Sequence, residues 1–350
     1  MTAKRKQISH ALLPHRSIRR ELPVNFREKD CRLFRHELHR DIPPTSLVWL
    51  SPAVVNQTSV WDPSQKKFAF SFTHPWKKRL QSFLRQIPRG LWASFFPRKV
   101  RTGGLWISDQ WSRNYFHWMT DALPRLIVAR DSGVTEPVVL PEFVARASHT
   151  TAVLDLLQES TEVLSVRRKY WFEKLALVSP VAPTGSPDPA VLNKLRRRLV
   201  QAIDSQEPGS TGGRHQPSEG SRLWVSRRLS SRRKLHNEEE VLRIVEAHGF
   251  LAVFPELLSV NEQLRLLSRA SLVVGMHGAG LTNMLMMPPG KNVIEVRRHG
   301  DSHNNSYFAL ASACDLNYFY VFARRQHLMA GSNGWHLDVG ELEDVIQAIT

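Results

Sequence analysis

Cysteine is scarce in this chain of 350 residues. The two cysteines, Cys31 and Cys314, lie far apart in the sequence and form no CxxC pair. Disulfide frameworks and cysteine zinc sites both need several cysteines at short, recurring spacings. The sequence therefore indicates neither kind of site, and it predicts a protein of a reducing compartment.

Long hydrophobic runs are also missing. No stretch approaches the roughly 18 uninterrupted apolar residues that a membrane-spanning helix needs. The basic N-terminus at residues 1–20 contains no apolar segment of the roughly 7 to 15 residues that a signal peptide carries. We therefore expect a cytoplasmic protein without a signal peptide or a membrane span.

Acidic residues are outnumbered, because 32 Asp and Glu face 48 Lys and Arg, which gives a formal net charge of +16. Nucleic acid, an anionic membrane surface, and a phosphorylated or acidic substrate all fit this charge. Basic residues are spread along the chain, with local groups at 4–6, 77–79, 167–169, 196–198 and 222–234. This spread disfavours a nucleic-acid partner, since nucleic-acid readers usually concentrate their charge on one module. Peripheral contact with an anionic inner membrane remains open.

Short apolar runs alternate with amphipathic segments from Leu105 onwards. The alternation predicts an α/β fold with parallel sheets and helices on both faces, whereas residues 1–100 carry no assignable motif. Gly, Ser and Pro dominate residues 205–221, which predicts a linker. The expected organisation is a domain at 1–204 and a domain at 222–350, both doubly wound, with ligands bound in the cleft between them.

Capping signals mark two helix starts. Asn237 is followed three residues later by Glu240, and Ser259 is followed at the same spacing by Glu262. A third helix is predicted over NYFHWMTDALPRLIVARDSG, where Pro124 should produce a kink.

The first candidate site lies on that third helix, where Asn114, His117 and Asp121 share one face through spacings of three and four. Histidine and carboxylates are the usual general bases near neutral pH. The alternative is structural: Asp121 would form a surface pair with Arg125, and His117 would make a core hydrogen bond.

A second candidate site follows the predicted strand LWVS, where Ser226, Arg227 and Arg228 precede a basic run at 232–234. A guanidinium group binds phosphate through two parallel hydrogen bonds. A solvated basic loop explains most of these charges equally well. Arg227 is the strongest candidate, because it follows the strand most closely.

The third candidate site is the stretch SLVVGMHGAGLTNMLMMPPGKNVIE at 271–295. The pattern predicts a strand, a turn with His277, Gly278 and Gly280, a helix-like segment with Asn283, and a second strand ending in Glu295. Such a turn brings backbone N–H groups and a positive helix end to an anion. A purely structural turn explains the glycines nearly as well. Glu295 could bond a ribose or form a helix-facing salt bridge.

Several catalytic motifs are absent. The chain contains no P-loop, no GxGxxG fingerprint, no DxD sequence, no HExxH motif and no GxSxG elbow. The sequence therefore lacks the usual motifs of metal-dependent catalysis and of serine hydrolysis.

The three segments, in this order, resemble glycosyltransferase family 61, which includes bacterial capsular-polysaccharide enzymes, plant xylan arabinosyl- and xylosyltransferases, and animal protein O-linked N-acetylglucosaminyltransferases. The resemblance covers residues 105–322 and is most specific at SLVVGMHGAGLTNMLMMPPGKNVIEV. It implies a GT-B fold, in which two Rossmann-like domains face each other across a cleft. It also implies a nucleotide-sugar donor, usually a UDP-sugar, and inversion at the anomeric carbon without a bound metal or other cofactor.

The resemblance also assigns roles to individual residues. Asp121 and His117 match the acceptor-side base candidates, with Asp121 preferred and with Asn114 and Arg125 beside them. The resemblance places Arg227 at the donor diphosphate and His277, Gly278, Ala279 and Gly280 in the turn beneath it. The neighbouring candidates Ser226, Arg228, Asn283 and Glu295, taken from the residues themselves, complete the expected donor-side set.

The expected function is hexosyl or pentosyl transfer to a glycan or lipid-linked glycan, in bacterial capsule, lipopolysaccharide or exopolysaccharide synthesis. No nucleic-acid partner is expected. The alternative is a non-catalytic protein that binds a polyanion, either nucleic acid or an acidic glycan.

Overall fold

The computed structural model describes residues 8–56, 59–69, 98–206, 219–230, 233–301, 304–327 and 333–349. Within these ranges the chain divides into two compact units. The first unit takes its residues from 1–17 and 41–195, and the second from 18–40 and 196–350. The linker predicted at 205–221 falls mostly outside the described residues.

The first unit is built on a nine-stranded sheet. The strands of the first half of the chain are β1 (Ile8–Leu13), β2 (Arg16–Arg19), β3 (His39–Ile42), β4 (Thr45–Leu50), β5 (Ala53–Asn56), β6 (Ser59–Asp62), β7 (Lys67–Phe68), β8 (Arg98–Trp106), β9 (Val138–Pro141), β10 (Thr161–Leu164) and β11 (Lys169–Val178). Strands β2 and β3 form a separate two-stranded sheet, and the other nine form the large one.

The large sheet is mixed. Its order is β10-β9-β8-β11-β5-β6-β7, with β4 also beside β11 and β1 beside β4. The four strands from β8 to β11 are parallel, whereas β1, β4, β5, β6 and β7 pair antiparallel. The parallel sheet predicted for the chain after Leu105 is therefore confirmed in β8 to β11, but the sheet of this unit as a whole is mixed. Its antiparallel part comes from residues 8–68, where no motif could be assigned.

Helices connect these strands and those of the second unit. They are α1 (Cys31–Phe34), α2 (Tyr115–His117), α3 (Leu123–Asp131), α4 (Glu142–Ala145), α5 (Ser148–Leu156), α6 (Pro189–Asp204), α7 (Glu238–Ala247), α8 (Val260–Ser268), α9 (Ser306–Ala313) and α10 (Val339–Gln347). A π-helical turn, Trp118–Ala122, joins α2 to α3. Among the described residues, none of the helices has the length and apolar character to cross a bilayer.

The second unit contains a six-stranded, mostly parallel sheet. Its strands are β12 (Ser221–Val225), β13 (Phe250–Val253), β14 (Ala270–Met276), β15 (Asn292–Arg298), β16 (Asn317–His327) and β17 (Asn333–Leu337). The order is β13-β12-β14-β15-β16-β17, in which only the edge strand β17 runs antiparallel. The order reverses between β12 and β14, and open α/β sheets bind ligands at the carboxyl ends of the strands at such a point.

One face of this sheet is covered by α7 and α10. Strand β14 contributes Leu272, Val274 and Met276 to that core, since alternate side chains of a strand share a face. The buried residues of the two helices are Val241, Val245, Leu342 and Ile346. The alternation of strands and helices after residue 222 therefore predicted the five parallel strands of this sheet but not the edge strand β17.

The segment 18–40 belongs to the second unit. The backbone N–H of Val24 donates to the carbonyl of Tyr318 at 2.9 Å, and Asn25 exchanges two hydrogen bonds with the backbone of Tyr320. These contacts cover part of the edge of β16 that β17 leaves open.

The two capping signals have different outcomes. The Ser259 and Glu262 capping box is present as predicted. For Asn237 the predicted helix start is confirmed, since α7 begins at Glu238, but the predicted cap is wrong: its side chain makes no capping bond, because its amide bonds the backbone of Leu337 and the carboxylate of Glu240.

Candidate functional site

The closest approach at the reversal point of the second sheet is between Arg227 and Gly278, each two residues beyond the end of its strand. A Cβ built on Gly278 would lie 2.0 Å from Nη1 and 2.8 Å from Cζ of Arg227. No side chain fits there without displacing the guanidinium group. The guanidinium therefore lies directly against the backbone of the turn that follows β14.

Two further glycines bring that turn close to the end of β12. A Cβ on Gly280 would lie 2.9 Å from Cγ1 of Val225, and one on Gly275 would lie 3.1 Å from its Cβ. The segment Ala279–Met286 that follows is a 3-10 helix. The first turn of a helix leaves N–H groups without intrahelical partners, and it is an anion-binding position.

Positive charge accumulates at this turn. Arg227 donates from Nη2 to Oγ of Ser230 at 2.9 Å, and Arg233 donates from Nη1 to the carbonyl of His277 at 3.2 Å. Burial, followed by the charge of Arg233, lowers the pKa of Arg227. A bound anion would offset both the free-energy cost of burying this charge and the repulsion between the two guanidinium groups.

The side chain of His277 is hydrogen-bonded to a buried carboxylate. Its Nδ1 bonds Oε1 of Glu295, whose side chain is 0% exposed, and Tyr318 donates to Oε2 of the same carboxylate at 2.5 Å. Burial alone would raise the pKa of Glu295, but the charges of His277 and Arg297 and the two hydrogen bonds keep it below its ordinary value. Glu295 thus contacts protein groups on both oxygens, and this placement favours orienting His277 over contacting a ribose.

Arg297 extends the network away from His277. Its Nη1 lies 3.7 Å from Oε2 of Glu295 and donates to Tyr318 at 3.2 Å, while its Nη2 donates to Oδ1 of Asn305 at 2.9 Å. Neither Arg297 nor Tyr318 was predicted as a site residue. The spacing of two between Glu295 and Arg297, which places both on one face of a strand, was the available signal.

Three other donor-side candidates make structural contacts. Ser226 is buried and donates to Oε1 of Glu238 at 2.6 Å, and the exposed Arg228 pairs with Glu239 at 3.0 Å. Asn283 is buried and donates to Gln263 at 3.0 Å. Arg232 lies outside the described residues.

In the first unit, His117 and Asp121 form a hydrogen-bonded pair. Nδ1 of His117 lies 2.8 Å from Oδ2 of Asp121, and both side chains are mostly buried. Asp121 belongs to the π-helical turn, in which the N–H of Leu123 bonds the carbonyl of Trp118. The turn precedes Pro124, whose ring would otherwise clash with the carbonyl four residues back. Such π turns are frequent at functional sites.

The remaining acceptor-side candidates are anchoring residues. Asn114 caps α2 by accepting a hydrogen bond from the N–H of Phe116 at 3.0 Å. Arg125 is buried and pairs with Asp109 at 3.2 Å. The alternative surface pair between Asp121 and Arg125 is therefore absent, because each of the two has another partner.

No group of three or more His, Cys, Asp and Glu side chains among the described residues is arranged to hold a metal ion. A metal-independent reaction stays a prediction.

Comparison with known proteins adds the family. The glycosyltransferase 61 family model matches residues 115–294, just over half of the chain. An EGF domain-specific O-linked N-acetylglucosamine transferase of Bos taurus is 24% identical over 164 residues, 45% of this chain and 29% of the relative. The transferase of the same name from Gallus gallus is 29% identical over 132 residues, 36% of this chain and 24% of the relative. The chain thus matches less than a third of the length of these relatives.

The match includes the His117 and Asp121 pair, Arg227, and the turn from His277 to Gly280. On this match, the chain belongs to the glycosyltransferase 61 family.

Proposed function

We propose that this chain is an inverting, metal-independent glycosyltransferase that moves a sugar from a nucleotide-sugar donor, a UDP-sugar, to a hydroxyl group of a glycan acceptor. Membership of the glycosyltransferase 61 family supports glycosyl transfer in general. The observation that supports the donor site is the guanidinium of Arg227 lying against the side-chain-free backbone of Gly278 at the reversal point of the second sheet.

In this proposal the second unit holds the leaving group. The donor bond that breaks joins the anomeric carbon to a diphosphate oxygen, so negative charge develops on the diphosphate. Arg227 and Arg233 supply positive charge, and the N–H groups at Ala279 and Gly280 supply hydrogen-bond donors. His277, oriented by Glu295, faces this turn as a further donor.

The first unit supplies the general base. The acceptor oxygen attacks the anomeric carbon from the side opposite the departing diphosphate, and its proton passes to Asp121 or His117. We favour Asp121 as the base with His117 orienting it, since the two are hydrogen-bonded.

For the biological setting, we propose a cytoplasmic enzyme of bacterial surface polysaccharide synthesis that acts on a free or lipid-linked glycan. We also propose that it contacts the anionic inner membrane peripherally. The net charge of +16 supports that contact. The animal relatives are named N-acetylglucosamine transferases, and this adds N-acetylglucosamine to the donor sugars to be screened.

Calorimetry of UDP binding tests the donor site. Arg227→Ala should weaken UDP at least about tenfold, since charge-assisted hydrogen bonds contribute about 1.5 to 3 kcal/mol. Arg228→Ala is the matched control, because this exposed neighbour pairs with Glu239 away from the turn. Equal UDP affinities for both variants and the wild type would rule out the donor site.

A further inference from the structure

Trp111 is an exposed aromatic side chain at the edge of the His117 and Asp121 pair. Its residue is 38% exposed, and it is the one aromatic among the exposed large hydrophobic side chains of the described residues. Its ring centroid lies 5.5 Å from that of His117, with 40° between the ring planes. The indole therefore borders His117, the hydrogen-bonded partner of the proposed general base Asp121.

The loop that carries Trp111 is fixed by a dense set of local hydrogen bonds. Oδ1 of Asp109 accepts from the N–H of Trp111 at 2.8 Å and from Oγ of Ser112 at 3.2 Å. Oγ of Ser112 accepts from the N–H of Asp109 at 2.8 Å, and the carbonyl of Trp111 accepts from the N–H of Asn114 at 2.8 Å. The backbone of Trp111 is thus tied at both its N–H and its carbonyl.

A buried ion pair fastens the loop to the helix of the base. Arg125 reaches from α3 to Oδ2 of Asp109 at 3.2 Å and to the carbonyl of Ile107 at 3.3 Å. Burying an ion pair is often no more stabilising than an apolar contact of the same volume, and it is best explained where it fixes one geometry. The geometry fixed here is the position of Trp111 relative to His117 and Asp121.

A rigid, partly exposed indole suits a sugar ring. Pyranose rings present apolar C–H groups on one face and hydroxyl groups at the edge. An indole offers a large apolar face at little conformational cost. A sugar stacked on Trp111 would bring an edge hydroxyl towards the neighbouring base, whereas a serine or threonine hydroxyl of a protein has no such face.

We propose that Trp111 is the stacking platform for the acceptor sugar, and that the acceptor is therefore a glycoside rather than a protein hydroxyl. The inference rests on the proposed function and names the acceptor class of the same reaction. Trp111 lies outside the residues that the family model matches, 115–294, so family membership does not imply it.

The test compares Trp111→Ala and Trp111→Phe with the wild type in transfer to a panel of p-nitrophenyl glycosides and to Ser/Thr peptides. Trp111→Ala should raise the KM for glycosides about tenfold, the scale of an aromatic contact of about 1.5 kcal/mol. Its kcat and the pH profile of kcat should stay near wild type, and Trp111→Phe should keep most of the affinity. Val163→Ala, an exposed apolar change in the same unit, is the control and should match the wild type.

Four results would overturn the proposal: an unchanged KM in Trp111→Ala, a loss confined to kcat with a shifted pH profile, transfer only to peptides, or no glycoside used by a wild type that binds UDP. The second result would show that Trp111 acts through His117. UDP affinity, measured on each variant, reports the proposed donor site separately. If the wild type binds no UDP, saturation-transfer NMR with the same glycosides still tests Trp111, because loss of the signal in Trp111→Ala alone supports stacking and equal signals refute it.

Discussion

The missing side chain at Gly278 leaves room for the guanidinium of Arg227, so a single added methyl group reports whether that placement binds the donor. Gly278→Ala should weaken UDP at least about tenfold, because the methyl group and Nη1 would lie 2.0 Å apart. The melting temperature should change by no more than about 2 °C, since the displaced atoms end a flexible side chain. Gly340→Ala, whose Cβ meets its nearest neighbour at 3.4 Å, is the control. Wild-type UDP binding by Gly278→Ala would contradict the site.

Asp121 carries the second prediction at this scale. Asp121→Asn keeps the size of the side chain and a hydrogen-bonding group opposite His117 but removes the basic oxygen. We expect transfer to fall by about 10² to 10⁴, the contribution of a general base, with UDP affinity unchanged. Steady-state rates and calorimetry measure the two quantities. A parallel loss of both would assign Asp121 a structural role.

Glu295 predicts a dependence of stability on pH. Its folded-state pKa lies below the ordinary value of 4.5, so its contribution is complete above pH 4.5 and is lost as pH falls through the folded value. Glu295→Gln should cost about 3 to 5 kcal/mol at pH 7, because it leaves Arg297 buried without its carboxylate. The gap to the wild type should narrow below pH 4.5.

Urea unfolding at pH 7 and at pH 4 measures that gap. Tyr318→Phe is the matched variant: it removes one hydrogen bond and leaves His277 and Arg297 beside the carboxylate, so most of the acid dependence should persist. An identical gap for Glu295→Gln at both pH values would mean that folding does not lower the pKa of this carboxylate.

At the scale of elements, the π turn before Pro124 brings His117 and Asp121 together. Proline lacks the N–H that a regular helix would use, and alanine restores it. Pro124→Ala should favour a regular helix. The rate of transfer should fall at least tenfold, which corresponds to about 1.4 kcal/mol, because Asp121 would no longer be held in position. The free energy of unfolding should stay the same or rise. Pro189→Ala, at the first position of α6 where proline is tolerated, is the control. Full activity in Pro124→Ala would show that the π turn does not position the base.

Local signals predicted the elements that depend on neighbours in sequence. The capping box of Ser259 and Glu262 formed because both partners lie within one turn. Asn237 carried the same signal, but its side chain does not form the capping bond, because its amide bonds Leu337, a hundred residues away. The antiparallel pairing in the first sheet and the place of the segment 18–40 could not be predicted for the same reason, because the partners lie far along the chain.

The residues of the candidate site also differ in whether a local sequence signal identifies them. Arg227, His277 and Gly278 could be found because each follows a strand end, where topology concentrates ligands. Tyr318 is defined by a contact with Glu295, and Trp111 by its contact with His117, neither of which leaves a spacing motif that identifies it. Asp121 and Arg125 show the converse. Their spacing of four suits an ion pair along a helix, but Arg125 pairs with the buried Asp109 instead.

At the scale of the whole molecule, the net charge of +16 is compatible with a transferase and with a non-catalytic protein that binds a polyanion. The two differ in their response to salt. Polyanion binding releases counterions, and about six to ten phosphate contacts lose about 10³ to 10⁵ in affinity between 50 and 200 mM salt. A half-buried site for a single diphosphate is screened much less.

Salt titration of the wild type with UDP and with single-stranded DNA therefore separates the two functions. For a transferase, the UDP dissociation constant should change less than about tenfold between 50 and 200 mM NaCl, and DNA binding should be weak and fall steeply. Arg227→Ala should weaken UDP binding at least about tenfold and lower the DNA salt slope by no more than about 1, because it deletes one of many charges. DNA binding that stays tight at 200 mM, together with no UDP affinity, would assign the positive charge to a polyanion partner instead of a nucleotide-sugar.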